Sequence, residues 1–377
     1  MSSFVSVVGD GRDVSSWGHP VLGQQGPVSV LDPNPWSYNA QTGVFPTSAT
    51  KVPYRPTLEI LAPENHKRLT HSELRKLQIK EAERISGLTM KEMGELQLAY
   101  MQGKADKAGK DIGEYLLDLA GRLGRPGGLG NQATWWPSLS AAQKASWQRR
   151  YDSVEKRLMQ EAPAPIRQML KEARALGPDK GIRFDPVACE KYIAYAICGN
   201  GTFSVGKSFV EDAEANPKRV YSNIAHELGG HWCYGGPVSM ELLNHCLKQI
   251  ADHQRVIATS GRSLHTIFGY PETEIYAELC ELDWRIPTNS TDEPCRDIPA
   301  MLKLTKAAFE PSVARALVLA LRYRVQLDPH VSGAARKLLD ESIKDVFGRQ
   351  FLSQAIGAPS RVDVGLGVLQ RALGWSF

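Results

Sequence analysis

The chain has 377 residues, with 45 Lys and Arg against 41 Asp and Glu, a formal net charge of +4. That surplus is too small for the chain's size to argue a nucleic-acid surface, and no basic stripe interleaved with aromatics changes this, so no nucleic acid is expected as a partner. Hydrophobic residues at 42% and charged residues at 23% describe a globular protein, and no apolar run approaches the length of a transmembrane segment.

Residues 1–60 are rich in Gly, Pro, Ser and Asn and read as an irregular N-terminal arm across the globular part, or as a docking segment recognised by a partner. Residues 61–177 form a helical region. Leu74, Leu77 and Ile79, then Tyr115-Leu116-Leu117-Asp118-Leu119, carry its pattern, with Ser72 as the expected helix cap. Arg125-Pro126-Gly127-Gly128-Leu129-Gly130 marks a loop, and a helical pair from Ala141 to Gly177 is broken by Pro163 and Pro165.

Residues 178–295 are the expected catalytic core. Two short strands, Lys180–Phe184 and Thr202–Val210, flank a turn at Cys198-Gly199-Asn200-Gly201. The second strand is expected to be an exposed edge on which an extended substrate could add by backbone hydrogen bonds. Residues 296–377 return to helix, with breaks at Pro311, Pro329 and Gly333, a buried apolar helix around Val313 to Leu321, and a last helix using Leu366, Leu369 and Leu373. The expected fold is mainly α (α+β), a small antiparallel or mixed sheet and an active-site helix surrounded by further helices.

Chemistry concentrates in Tyr221–Trp232, where His226-Glu227-Leu228-Gly229-Gly230-His231 supplies two imidazoles for Zn²⁺ and a glutamate placed to act as general base. Three residues separate Glu227 from the second histidine, one more than in H-E-x-x-H. On a regular α-helix, positions five apart point about 140° away from each other. Both histidines can serve one ion only if a turn between Leu228 and Gly230 holds an extra residue, as in a π-bulge. Gly229 and Gly230 sit where the distortion falls, and their tolerance of unusual dihedrals together with the lack of a side chain that could clash is the expected relief, with a helix end there as the alternative.

A catalytic zinc needs a third protein ligand and an open position. Pro271–Leu282 reads as a helix opened by proline, and Glu274, Glu278 and Glu281 share one face at i, i+4, i+7 spacing. Glu274 is expected to bind the metal and Glu278 to accept a hydrogen bond from a liganding histidine. The plainer alternative is a solvated acidic face. A closed structural site of His226, His231, Cys233 and a carboxylate is the expectation for a non-catalytic metal-binding or interaction protein.

With those residues in view, His226–His231 resembles the H-E-x-x-G-H motif of the dipeptidyl peptidase III family of zinc metallopeptidases, and Thr273-Glu274-Ile275-Tyr276-Ala277-Glu278 is similar to that family's second motif, E-E-C-R-A-E/D. The resemblance is confined to residues 180–285, and Thr273, Ile275 and Tyr276 depart from the second motif. It implies a zincin-like, gluzincin-type site with His226, His231 and Glu274 as zinc ligands, Glu227 as catalytic base and Glu278 as an outer carboxylate.

The expected activity is therefore zinc-dependent hydrolysis of a peptide or protein substrate, or of cell-wall peptides as the alternative. Tyr270 is the first expectation for the donor that stabilises the oxyanion, ahead of His265, His253 and Arg255. All six cysteines, Cys189, Cys198, Cys233, Cys246, Cys280 and Cys295, fall in the catalytic region. Disulfides are expected there, with Cys189–Cys198 and Cys280–Cys295 as the local pairs. Disulfides without a cleavable signal peptide imply export by another route, as for a secreted bacterial effector or toxin acting in a periplasm or outside the cell, with a secretion-apparatus or immunity partner.

Overall fold

The computed structural model describes residues 69–123, 135–175, 181–186, 194–196, 202–234, 236–285, 297–328 and 330–353. The expected N-terminal arm, the loop at residues 125–130, the turn at 198–201 and the last helix lie outside these residues. Among the described residues the fold is mainly α, with one three-stranded sheet.

Helices α1 (His71–Ser86), α2 (Met90–Lys107) and α3 (Ile112–Leu123) open the chain. The cap of α1 is Thr70 rather than Ser72. Its hydroxyl accepts from the Glu73 N–H at 3.2 Å while the Glu73 carboxylate accepts from the Thr70 N–H at 2.8 Å, a reciprocal box that Ser72, inside the first turn, cannot make. Thr89 and Glu92 repeat the device at the start of α2. After the short α4 (Trp135–Ser138) come α5 (Ala141–Glu161) and α6 (Ala164–Ala175). Pro163 lies in their break, whereas Pro165 is tolerated in the first turn of α6, where no intrahelical N–H bond is lost.

The strands are β1 (Gly181–Phe184), β2 (Ala194–Ala196) and β3 (Thr202–Val205). Their order is β1-β3-β2, with β1 parallel and β2 antiparallel to β3. This corrects two expectations. The strand expected over Thr202–Val210 stops at Val205, because Gly206 starts α7 (Lys207–Ala215), whose Phe209, Val210 and Ala213 form a buried helical stripe. And β3 is the central strand rather than an edge, since the unforeseen β2 pairs along its other side.

A 3₁₀ turn (Pro217–Val220) and a single turn α8 (Tyr221–Ile224) lead into a π-helix, Ala225–Trp232. Then follow α9 (Val238–Leu247), α10 (His253–Phe268), α11 (Tyr270–Glu281), a 3₁₀ turn (Leu282–Trp284), α12 (Asp297–Ala308), α13 (Pro311–Leu327), α14 (Gly333–Phe347) and α15 (Gln350–Ser353). Pro311 and Gly333 open helices, as their expected breaks allow, and the apolar run from Val313 to Leu321 is buried in α13.

Two apolar clusters hold these elements. One joins α1–α3 to α9–α14; the other joins α5, α6, the sheet, α7, α8 and the π-helix as far as Cys233. The change of core falls between Cys233 and Tyr234, so the expected catalytic core of residues 178–295 contributes to both clusters. The π-helix packs along α11 at the seam between them.

Candidate metal centre

The π-helix resolves the spacing problem. Its i→i+5 hydrogen bonding places one more residue in each turn than an α-helix, so residues five apart stack one above the other. His226 and His231 accordingly converge: their Nε2 atoms lie 3.0 Å apart and their rings meet edge to face at 4.7 Å between centroids. The same widening removes Cys233 from the position it would hold seven residues on along an α-helix, and the donor groups among the described residues contain no thiol.

Of the two expected properties of the glycines, the missing side chain is the one the site uses. Neither Gly229 nor Gly230 has a positive φ. Gly230 is needed for close approach: a Cβ there would lie 2.5 Å from Ala277 Cα and 2.6 Å from Ala277 Cβ on α11. At Gly229 the nearest atom to an added Cβ is the flexible end of Met169, at 3.2 Å.

That contact brings α11 against the histidines. All twelve residues of α11 are buried, so Glu274, Glu278 and Glu281 are not a solvated acidic face. Glu274 Oε2 lies 3.3 Å from His231 Nε2, and Glu274 Oε1 lies 3.8 Å from His226 Nε2. Zinc bonds of about 2.0–2.1 Å place tetrahedral donors about 3.3–3.4 Å apart; the 3.0 Å between the imidazoles and the 3.3 Å from His231 to Glu274 Oε2 are near that edge, and the 3.8 Å from His226 runs to the other Glu274 oxygen. Glu227 is buried beside them, 1% exposed.

The outer contacts differ from the expected set. His226 Nδ1 faces Glu281 Oε2 at 3.4 Å, while Glu278 pairs with the guanidinium of Arg285. Arg285 also donates from Nε to Glu281 Oε1 at 2.7 Å. Glu281 and Arg285 thus hold roles the sequence reading did not assign. The signal was present: Arg285 continues the 274, 278, 281 face by one further i+4 step.

Burial opposes protonation of His226, yet the hydrogen bond and charge of Glu281, with Glu274 and Glu227 nearby, outweigh it and push the His226 pKa up to about 10. Burial and the neighbouring His226 hold His231 well below the usual imidazole range. Burial and the charge of Glu281 raise Glu278 to about 7. For Glu281, burial works upward, but the hydrogen bond from His226 and the charge of Arg285 leave it below the usual carboxylate range. In the metal-free protein the cluster therefore favours a positive charge on His226, itself one of the three donors a cation would use.

A buried polar network fixes α11 from the other side. Glu272 accepts from Gln78 Nε2 at 2.6 Å, from the Tyr234 hydroxyl, and from the Val238 and Ser239 N–H groups at 3.1 and 2.9 Å, which caps the N-terminus of α9. The fully buried Arg324 guanidinium lies 4.1 Å from the Tyr234 ring centroid and 5.1 Å from that of Tyr276, whose hydroxyl donates to Asp328.

Tyr270 is buried on α11, one turn before Glu274 on the same face. Two other expected oxyanion donors are placed elsewhere. Arg255 is an exposed partner of Asp252 at 2.5 Å, and His253 Nδ1 lies 3.0 Å from Ile250 O at the start of α10. The His265 side chain is outside the described set. Cys233, Cys246 and Cys280 are buried thiols, with Cys280 Sγ 3.7 Å from Gly229 O. Cys295 and the Cys189–Cys198 pair lie outside the described residues. No helix among the described residues is long and apolar enough to cross a membrane.

No family model matches the chain, and no curated protein or solved structure matches it.

Proposed function

We propose that the protein is a zinc-dependent metallopeptidase of zincin-like type. The observation that carries this reading is the convergence of donor atoms of His226, His231 and Glu274, all within 4.8 Å of one another, across the seam between two cores, with Glu227 buried alongside. A structural zinc closes its shell with a fourth protein ligand, often a thiolate. Among the described residues the donor group has three members and no cysteine.

When bound, zinc polarises the scissile carbonyl and lowers the pKa of the attacking water. Glu227 takes the proton from that water and delivers it to the departing amine. His226 and His231, held on a π-helix packed into one core, and Glu274, held on a helix packed into the other, keep the donors from drifting. Tyr270, one turn before Glu274, is the proposed donor to the oxyanion. Of the two edge strands, β2 packs on the π-helix, and it is there that an extended peptide would align antiparallel or parallel by backbone hydrogen bonds.

The test is zinc content by elemental analysis together with hydrolysis of a denatured protein substrate. Wild type is expected to carry one zinc, Glu227→Gln to keep it without activity, and His231→Ala and Glu274→Ala to lose it. Zinc indifferent to Glu274, or activity surviving Glu227→Gln, overturns the reading.

A further inference from the structure

A second ligand-like group lies behind the first. His226, Glu278 and Glu281 offer donor atoms all within 4.8 Å of one another, each residue buried. His226 belongs to both groups, its Nε2 toward His231 and Glu274 and its Nδ1 toward Glu281. Two buried carboxylates and an imidazole at this spacing are a ligand set that hard and borderline divalent ions accept.

What fills it is a side chain of the protein. Arg285 directly follows the 3₁₀ turn that ends α11, and its guanidinium spans both carboxylates, pairing with Glu278 through Nη2 and with Glu281 through Nε and Nη2. Its side chain is 23% exposed while those of Glu278 and Glu281 are 4% and 8%. The guanidinium therefore sits between the carboxylates and solvent. A planar fork with a fixed charge suits this place, because it engages two carboxylates at once and cannot deprotonate.

We propose that Arg285 is a positioning residue that stands as a built-in cation in the second ligand group, so that only the His226–His231–Glu274 group takes a metal ion. The proposal rests on the metal-centre reading. Its consequence is a mononuclear site in a cluster with carboxylates enough for two ions. By holding Glu281 against Nδ1 of His226, Arg285 also keeps that imidazole from swinging toward the rear group, leaving Nε2 as the ligating nitrogen.

The experiment is titration of the metal-free full-length protein with Co²⁺, read by equivalents bound at equilibrium dialysis and by the visible absorption of the bound ion. Wild type is expected to take one equivalent. Arg285→Met and Arg285→Gln are expected to take two, with an added absorption component, and Arg285→Lys to return to one. Arg285→Met combined with Glu278→Gln is expected to fall back to one equivalent, which separates the rear group from chance surface sites. Should the methionine variant not fold, the glutamine variant carries the same decision. A single equivalent in both neutral variants with the wild-type spectrum, or two equivalents persisting in the double variant, overturns the proposal while leaving the metal centre standing. Wild type binding no Co²⁺ removes the metal centre, and this proposal with it.

Discussion

Gly230→Ala is the sharpest perturbation of the site that leaves every functional side chain intact. The new Cβ would meet Ala277 Cα at 2.5 Å and Cβ at 2.6 Å. Carbon atoms rest at about 3.5–4.0 Å, so the π-helix and α11 must part by about 1 Å. Ala277 lies between Glu274 and Glu278 on α11, so this parting draws Glu274 away from both imidazoles and stretches edges of 3.3 and 3.8 Å beyond what one ion spans. Overpacking costs about 1–3 kcal/mol, and the gain of alanine over glycine in a helix returns up to about 1 kcal/mol. The expected net destabilisation is therefore about 0–3 kcal/mol, while zinc affinity falls at least 10–100-fold, the scale of outer-contact losses at metal sites. Chelator-competition titration reads the affinity and urea unfolding of the metal-free protein reads the stability. Ala277→Gly in the same chain removes the 2.6 Å contact but leaves the new Cβ 2.5 Å from Cα of residue 277, so it is not expected to restore binding. Gly229→Ala, whose Cβ would meet the flexible end of Met169 at 3.2 Å and Cys280 Cβ at an ordinary 3.9 Å, is expected to change affinity little. Wild-type zinc affinity in Gly230→Ala would falsify the claim that close approach of these helices sets the ligand geometry.

Glu227→Gln is expected to lower turnover by about 10²–10⁴-fold, the usual contribution of a general base, with metal content unchanged; a turnover within threefold of wild type refutes its role. The raised pKa of His226 sets a pH dependence for the metal-free protein. A group whose folded pKa exceeds its unfolded value contributes stability that is complete below about pH 6.5 and is lost as pH rises through about 10. Urea unfolding of the metal-free protein is therefore expected to weaken across that window. Zinc affinity is expected to rise over the same range, since binding displaces the His226 proton; a flat profile in both measurements argues that His226 is neutral without metal. Thr70→Ala removes the reciprocal cap of α1 and is expected to cost about 1 kcal/mol in unfolding free energy, with Ser72→Ala near zero. The thiols of Cys233, Cys246 and Cys280 are expected to react with an aromatic disulfide reagent only after denaturation, and rapid labelling of any of them in the native protein contradicts their burial.

Much of the site was legible in the sequence because it is local. Two histidines five positions apart, on a stretch that must be helical, admit one shared ligand only through an extra residue per turn, and the π-helix at Ala225–Trp232 has that form. The same holds for the start of α11 at Pro271 and for the 274, 278, 281 face, which follow from helix periodicity. Other features depend on what packs against a segment, and no local pattern carries that. An acidic helix face looks the same in sequence whether water or a second core covers it. Glu281 rather than Glu278 meets His226 Nδ1 because of the rotation and axial offset between two helices, quantities set by the contact of Gly230 with Ala277. The centrality of β3 was decided by a three-residue strand whose pairing partner, not its own composition, makes it a strand. Which residues could hold a metal was therefore readable along the chain, since donor type and helical period are local properties. Their convergence depends on packing, because it requires two separately packed cores to meet at a glycine small enough to let them touch.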